Sequence, residues 1–226
     1  MRQHLKRLAA PRHWTLARRA QTFTVRPQSS GHPFAEGLAL GVILRDILKH
    51  ASTLTEAKKL LDRHPVLVDG VRRRDYRYLV GLFDVLSFPE LKASYRILSD
   101  LKGNVKLKPL PFSVQHKWCK VMGKTLLAGG KVQLHLHDGK NILFDKEVHR
   151  GDTVQVSFPQ LVIQEVLPLR PGAKVFLLKG KYQGSWGIFS RCVGQRALYE
   201  QEGVVRETVR KYLFVLPEAL AQEMAR

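Results

Sequence analysis

The most concentrated group of reactive side chains in this sequence is cationic and lies in residues 58–77, which carry a net charge of +4. Guanidinium and ammonium groups form charge-assisted hydrogen bonds with phosphates, so the segment is typical of a surface that binds a polyanion. Its basic residues are Lys58, Lys59, Arg63, Arg72, Arg73, Arg74 and Arg77. We predict that the first three meet Arg72–Arg74 on one face and that all seven contact RNA. The alternative is a solvated edge strand whose charges only prevent aggregation.

A second cationic segment precedes it, because residues 1–35 carry a net charge of +7 and contain no acidic residue. Aromatic and guanidinium planes can stack on unpaired bases, while the charges hold phosphates. The segment predicts an extended basic arm, and we expect the rest of the chain to fold without residues 1–26. The expected RNA contacts are Arg2, His4, Lys6, Arg7, Arg12, Trp14, Arg18, Arg19 and Arg26. A disordered, solvated tail is the alternative.

A third basic segment is rich in glycine, and its expected RNA contacts are Lys179, Lys181 and Tyr182. Glycine tolerates positive φ and allows two backbones to approach closely, so a tight turn is expected here. The glycines are Gly180, Gly184 and Gly187. Their spacing differs from GxGxxG, and the full GxxxxGK[ST] pattern does not occur in the chain, since the one Gly-Lys-Thr string, at 123–125, has Trp118 where the first glycine is required. This argues against a dinucleotide site or a P-loop.

The sequence gives little reason to expect a metal site. His135 and His137 share one strand face, but no third ligand is evident, so a surface or RNA-facing role is expected. Cys119 and Cys192 lie far apart and outside any CxxC spacing, which excludes a zinc ribbon or finger. We expect two reduced thiols, as in a cytosolic protein.

Bulk composition agrees with a folded protein that binds a polyanion. The chain of 226 residues has 38 Lys plus Arg against 19 Asp plus Glu, a formal charge of +19, with 44% hydrophobic residues. Such a charge opposes compact packing through self-repulsion unless a polyanion neutralises it. A membrane partner is not expected, because the longest apolar run, Leu38 to Leu44, is far shorter than the roughly 20 residues of a spanning helix.

Two helices are predicted ahead of the arginine run. The first has an apolar stripe at helical spacing, formed by Leu40, Ile43, Leu44, Ile47 and Leu48. Arg45 and Lys49 lie off that stripe, and we count them among the RNA contacts. The second helix begins with a capping box, from Thr53 to Glu56, and ends before Pro65.

Strands dominate the rest of the pattern. Asp69 and Gly70 predict a hairpin turn between a strand at 66–68 and a return strand that carries the arginines. From Val105 onward, short strands alternate with glycine turns, which favours an antiparallel barrel or sandwich. We therefore predict an α+β chain of four parts: a basic arm at 1–36, a helix–hairpin RNA-binding module at 37–100, a β-rich central domain at 101–170, and a β-barrel with a C-terminal tail at 171–226.

Three stretches resemble known ribosomal modules. Met1 to Trp14, with the string His-Leu-Lys-Arg-Leu-Ala-Ala-Pro, resembles the start of the archaeal and eukaryotic small-subunit ribosomal protein four, the "four-e" family. Residues 40–86 resemble the RNA-binding module of bacterial ribosomal protein four, pseudouridine synthases and some tRNA synthetases. Residues 172–188 resemble a KOW motif, the basic hairpin of an SH3-like barrel. The order of these modules covers nearly the whole chain.

The resemblance implies a structural constituent of the small ribosomal subunit, archaeal in type, cytoplasmic and bound to small-subunit rRNA and neighbouring ribosomal proteins. It implies no cofactor, no catalytic residue and no homo-oligomer. A transcription or assembly factor with a KOW motif remains an alternative, because the same groups would bind its RNA. An RNA-modifying enzyme is a weaker one, because the chain lacks the Gly-Arg-Leu-Asp string of a pseudouridine synthase and the glycine loop of a methyltransferase.

Overall fold

The computed structural model describes residues 4–17, 19–100, 103–112, 114–218 and 220–221. The chain divides into two compact units: unit 1 contains Met1–Leu98 and Asn104–Gln115, and unit 2 contains Ser99–Gly103 and His116–Arg226. The fold contains both helices and strands and is mostly β, which agrees with the predicted α+β class. None of the helices described is long and apolar enough to cross a membrane.

The first nine strands are β1 (Leu5–Lys6), β2 (Phe23–Thr24), β3 (Gly37–Ala39), β4 (Leu67–Val68), β5 (Val71–Arg72), β6 (Leu79–Gly81), β7 (Val85–Phe88), β8 (Ala93–Ser99) and β9 (Val105–Leu110). Strands β1 and β2 form one antiparallel pair, and β3 and β6 form another. The remaining five form a sheet in the order β5–β4–β7–β8–β9. The predicted hairpin is therefore confirmed as β4 and β5, which occupy one end of that sheet.

Both predicted helices are present, although the first differs from a regular helix. A short α-helical turn, α1 (Leu40–Val42), continues into a π-helical turn at Ile43–Ile47. Leu40, Ile43 and Leu44 are fully buried, so the predicted apolar stripe does face the core. Lys49 adopts a left-handed φ of 56° just beyond the end of the helical segment.

The second helix, α2 (Leu54–Arg63), begins and ends where the sequence predicts. The Thr53 hydroxyl accepts a hydrogen bond from the Glu56 amide at 3.2 Å, and the Glu56 carboxylate accepts one from the Ser52 amide at 2.8 Å. This pair of bonds satisfies amide groups that have no partner within the helix. At the other end His64 is extended, because a residue before proline is disfavoured in the helical conformation. The Thr53 cap is confirmed, and the Glu56 carboxylate binds the amide of Ser52 instead of that of Thr53.

The N-terminal arm is part of the core of unit 1. Ala10, Trp14 and Val25 are buried in the same cluster as α1 and the strands of the sheet. Trp14 is 3% exposed, and its indole Nε1 donates a hydrogen bond to the Gly37 carbonyl at 2.8 Å. Removal of a buried Trp side chain typically costs about 3–5 kcal/mol. Deletion of residues 1–26 would therefore remove part of this core, which speaks against the expectation that the rest of the chain folds without them.

Unit 2 contains two five-stranded sheets. The strands are β10 (His116–Leu126), β11 (Val132–Leu136), β12 (Asn141–Leu143), β13 (Thr153–Ser157), β14 (Ile163–Leu167), β15 (Lys174–Leu177), β16 (Trp186–Val193), β17 (Arg196–Gln201), β18 (Val204–Val209) and β19 (Leu213–Val215). The central sheet has the order β12–β11–β10–β13–β14 and the C-terminal sheet β18–β17–β16–β15–β19. The recorded pairs are all antiparallel, as predicted. Among the described residues the hydrogen bonding closes neither sheet into a barrel, so the predicted barrel remains a prediction.

Short 3-10 turns connect several of these elements, at Arg7–Ala9, Phe34–Glu36, Ala128–Gly130 and Arg210–Tyr212. Each sheet of unit 2 has its own buried cluster. The central cluster includes Cys119, Val121 and Val154, and the C-terminal cluster includes Val175, Phe189 and Tyr199. The side chains that remain outside these clusters form the candidate functional surfaces.

Candidate nucleic-acid interface

The β4–β5 hairpin brings the arginine run to the C-terminal end of α2. Asp69 and Gly70 both have positive φ, 49° and 74°, which is the conformation of a two-residue turn that matches the twist of the strands. Strand β5 ends at Arg72, whose Nη2 donates a hydrogen bond to the Asp62 carbonyl of α2 at 3.0 Å. The predicted approach of the arginine run to the second helix is thus present at Arg72.

We call the cations of α2 and the hairpin the helix–hairpin surface; its members are Lys58, Lys59, Arg63, Arg72, Arg73 and Arg74. All are exposed except Arg73, which is partly buried. Two of them lie over aromatic rings: the Lys58 Nζ is 4.3 Å from the centre of the Tyr76 ring, and the Arg73 guanidinium is 4.4 Å from that of Tyr78. Cation–π contacts stabilise these side chains while leaving their charge uncompensated.

Within the arm, the predicted contacts separate into exposed and buried groups. His4, Lys6, Arg12, Arg19 and Arg26 are exposed, whereas Arg2 and Arg18 lie outside the described residues. Arg7 is 3% exposed, and its Nε donates to the Ala17 carbonyl at 2.7 Å while its Nη2 lies 3.5 Å from an Asp46 carboxylate oxygen. Trp14 is buried as described above. These two side chains lie in the interior of unit 1 and are not placed to contact a ligand at its surface.

The end of the arm lies against the segment that follows the arginine run. The Gln28 amide donates to the Arg77 carbonyl at 2.8 Å, and the Arg77 Nε donates to the Arg26 carbonyl at 3.2 Å. The Tyr76 carbonyl accepts from the Gly41 amide at 2.8 Å. A Cβ at position 41 would lie 3.1 Å from that carbonyl oxygen, so glycine permits the close approach. The arm and residues 76–77 are thereby held together.

A cavity of about 340 Å³ lies where these segments meet. We call it the arm pocket; its cationic and aromatic lining residues are His4, Phe23, Arg26, Arg45, Tyr76 and Arg77. Among the described residues, no acidic side chain lines it. The positive charge of Arg45 is paired, because its Nη2 lies 2.7 Å from a carboxylate oxygen of Asp46. Lys49 lines a neighbouring hollow of about 470 Å³ together with Arg7 and Arg45.

The glycine-rich turn of the C-terminal sheet has the geometry predicted for it. Gly180 and Gly184 have positive φ, 100° and 84°, and a Cβ at Gly187 would lie 2.5 Å from the Glu200 carbonyl oxygen. Lys179 and Lys181 are exposed at the turn. Both the conformational and the close-approach predictions for these glycines are confirmed.

Tyr182 is partly buried beside that turn. The Arg206 guanidinium lies 4.3 Å from the centre of its ring, and the Lys181 Nζ lies 5.5 Å away. Arg206 follows the turn by more than twenty residues, and sequence reasoning missed it because cross-strand neighbours cannot be read from local spacing.

A further cluster of cations was not predicted and lines a cavity of about 340 Å³ in unit 2. Its members are Lys120, Arg150, Arg210 and Lys211. Lys120 is 2% exposed, and its Nζ donates to the Lys211 carbonyl at 2.8 Å and to the Leu213 carbonyl. Burial, with Arg210 and Arg150 nearby, lowers the pKa of Lys120 to about 7. Lys120 thus fastens β10 to the start of β19, and the exposed members of the cluster are Arg150, Arg210 and Lys211.

Two more charged groups of unit 2 are buried together. The Lys117 Nζ lies 2.6 Å from a carboxylate oxygen of Asp138, and the two side chains are 2% and 1% exposed. Burial alone would raise the pKa of Asp138, but Lys117, His137 and Lys140 lower it to about 2. Because neither group is open to solvent, this ion pair contributes to the stability of the fold and is not accessible to a ligand.

His135, one of the two histidines considered as metal ligands, already has hydrogen-bond partners within the fold. Both ring nitrogens of His135 are engaged, with the Thr125 hydroxyl at 2.7 Å and the Asn141 side-chain oxygen at 2.8 Å. His137 does meet two other possible ligands, Cys119 and Asp138, with ligand atoms within 4.8 Å of one another. The sequence did not reveal that cluster. The Lys117 ammonium already occupies the carboxylate of Asp138, which opposes a cation there.

One face of the C-terminal sheet contrasts with all these surfaces. Residues 186–209 contain three basic and three acidic residues, so this stretch is neutral. Trp186, Ile188 and Val205 are exposed there by 58%, 47% and 63%. Ile188 is in register with Glu200, which is in register with Val205, so the three side chains lie in one row across β16, β17 and β18. We call this row, with Trp186, the neutral face.

Comparison with known proteins gives a consistent result. The family profile described as "Ribosomal family S4e" matches residues 91–163, and the RS4NT domain profile matches residues 1–34. A small ribosomal subunit protein eS4 of Methanocaldococcus jannaschii is 39% identical, with 95% of this chain and 94% of the relative covered. The eS4 protein of Methanocella arvoryzae is 36% identical, with 94% and 93% covered.

A solved structure agrees with the sequence relatives. The crystal structure of the 30S ribosomal protein S4e from Thermoplasma acidophilum has a TM-score of 0.68 and 28% identity, covering 80% of this chain and 95% of the other. The likeness extends over both sequence and fold, and the relatives match nearly end to end. The chain belongs to the ribosomal protein S4e family.

Proposed function

We propose that this protein is a structural constituent of the small ribosomal subunit in the cytoplasm, where it binds small-subunit rRNA and neighbouring ribosomal proteins. The observation that carries the proposal is the helix–hairpin surface, whose cations are exposed apart from the partly buried Arg73 and whose Arg72 donates a hydrogen bond to the α2 backbone. Membership of a ribosomal family and the formal charge of +19 support it.

The proposed mechanism is electrostatic. Lysine and arginine groups displace counterions from phosphates, which gives an affinity that falls steeply as salt is raised. The rigid backbone of α2 and the hairpin then adds recognition of RNA shape. The direct contacts proposed on unit 1 are the exposed or partly exposed cations: those of the helix–hairpin surface, with His4, Lys6, Arg12, Arg19, Arg26, Arg45, Lys49 and Arg77.

The finer organisation is part of the same proposal. Residues 1–36 act as the basic arm, 37–100 as a module like that of bacterial ribosomal protein four, 101–170 as the central domain, and 171–226 as a KOW-type barrel. The exposed glycine turn, with Lys179 and Lys181, supports a second RNA contact in the last of these. We propose no catalytic role and no cofactor. New pseudouridine or methyl groups in unmodified rRNA after incubation with the protein would contradict that part.

The experiment that tests the proposal is the abundance of the protein in purified small subunits before and after a high-salt wash. A structural constituent remains near one copy per subunit, because many phosphate contacts and its neighbours hold it together. Loss of the protein at moderate salt would contradict the proposal and favour a KOW-containing factor that visits RNA transiently.

A further inference from the structure

The arm pocket combines two kinds of chemistry that a phosphate site alone does not need. Arg26 and Arg77 supply positive charge, while Phe23 and Tyr76 supply aromatic rings. Its volume of about 340 Å³ lies within the range of small-molecule binding sites, roughly 300–1,000 Å³. A site for phosphate would be lined by cations and amide groups, and a site for an apolar side chain would lack the cations.

The aromatic side chains of the pocket are accessible and positioned by backbone pairing. Phe23 lies in β2, opposite Lys6 of β1, and is 51% exposed, although phenylalanine is among the residues most often buried. The His4 ring meets it edge-on, with centroids 5.7 Å apart and planes at 85°. A single perpendicular neighbour covers at most one face of the Phe23 ring, and the pair is not a parallel stack.

The opposite side of the pocket is also fixed. The Tyr76 carbonyl is bound by the Gly41 amide at 2.8 Å, and the Tyr76 ring contacts the Lys58 Nζ at 4.3 Å. Because Lys58 belongs to the helix–hairpin surface, the pocket and that surface are adjacent parts of unit 1. The Arg77 side chain, next to Tyr76 in the chain, donates to the Arg26 carbonyl of the arm at 3.2 Å.

We propose that the arm pocket binds an unpaired base of RNA, which stacks on the Phe23 ring while Arg26 and Arg77 hold the adjoining phosphates. Base–aromatic stacking tolerates any base, because every base has a π face. The inference rests on the proposed rRNA binding and deepens it: the helix–hairpin surface takes the phosphates of the RNA, and the pocket takes a single nucleotide displaced from pairing.

The test compares two probes of equal charge, hexauridylate and an abasic hexamer with the same sugar-phosphate backbone, at one salt concentration with the full chain. Wild-type protein should bind hexauridylate about tenfold more tightly, since each stacked base contributes measurably to affinity. Phe23→Ala should bring that ratio close to one without changing the affinity for the abasic hexamer. Arg26→Gln should weaken both probes alike. Trp186→Ala, which removes an exposed aromatic side chain outside the pocket, should leave the ratio unchanged.

Thermal unfolding of each variant, together with Phe23→Leu as a milder substitution, excludes misfolding as the cause. Binding of small-subunit rRNA is measured in parallel, so that failure of the pocket proposal can be distinguished from failure of the proposed function. A wild-type ratio of one, or a ratio that survives Phe23→Ala and Phe23→Leu, would overturn the pocket while rRNA binding persists. Absence of rRNA binding by folded wild-type protein would instead contradict the proposed function itself.

Discussion

The lysines of helix α2 are exposed to solvent, whereas Lys117 and Lys120 of strand β10 are buried. Lys58 and Lys59 are exposed on α2, where they belong to the helix–hairpin surface. Lys117 and Lys120 on β10 are 1% and 2% exposed. A buried cation must be paired or hydrogen-bonded to be tolerated, and Lys117 has Asp138 while Lys120 has backbone carbonyls.

Positive charge can bind a ligand only where it remains accessible, so the two groups of lysines are expected to have different roles. Unit 1 buries Arg7 and Arg96, but five of the six cations of its helix–hairpin surface are exposed, whereas Lys117 and Lys120 of unit 2 are buried in its sheets. Substitution should therefore separate the two regions: stability should change when a buried lysine of unit 2 is altered, and RNA affinity when exposed cations of unit 1 are altered.

The largest expected effect is that of Lys117→Met on stability. The substitution leaves the carboxylate of Asp138 buried without its nearest cation, which typically costs about 3–5 kcal/mol. Urea unfolding of the full chain measures the free energy of unfolding. Lys59→Met on the exposed face of α2 is the matched control, and a surface substitution of this kind is expected to change stability by no more than about 0.5 kcal/mol. Equal losses in the two variants would show that burial does not distinguish them.

The next effect is on RNA affinity. Changing Arg72, Arg73 and Arg74 together to Ala should weaken binding to a small-subunit rRNA fragment by about tenfold to a hundredfold at moderate salt. The dependence of log affinity on log salt should become shallower by about 2, because up to three phosphate contacts are lost. Titrations at several salt concentrations measure both quantities. An unchanged dissociation constant and salt dependence would mean that the arginine run only faces solvent.

A smaller effect is expected from acid. The pKa of Asp138 is about 2 in the folded protein against 3.8 for an aspartate in the unfolded chain, so its ionised form contributes stability above pH 3.8. That contribution, about 2 kcal/mol, is lost as pH falls from 3.8 through 2. Unfolding free energies of wild-type protein and Asp138→Asn should therefore converge as pH falls across this window. A constant difference between the two proteins would contradict the role assigned to the carboxylate.

Local features of this fold were predictable because local physics determines them. The capping box at Thr53, the Asp69–Gly70 turn and the positive φ of Gly180 each follow from a few neighbouring residues. The short strands of unit 2 were equally visible as apolar runs between glycine turns.

Long-range packing was not predictable from the sequence. Arg7 and Trp14 look like surface contacts because they stand in a basic, proline-broken segment, yet both are buried through partners 10 or more residues away. Lys117 and Lys120 carry no sign of burial, since their partners Asp138 and Leu213 lie in other strands or turns. For the candidate site, the sequence therefore identified the cations but not which of them stay accessible.

The most direct measurement is photo-crosslinking in intact small subunits, with a photoreactive amino acid in place of either Arg74 or Val205. Arg74 represents the helix–hairpin surface, and Val205 represents the neutral face, where it is 63% exposed. Both positions are open to a partner, so the comparison isolates the effect of surrounding charge. We expect crosslinks to small-subunit rRNA from position 74 and none from position 205. Crosslinks to rRNA from position 205, with only protein crosslinks from position 74, would contradict it.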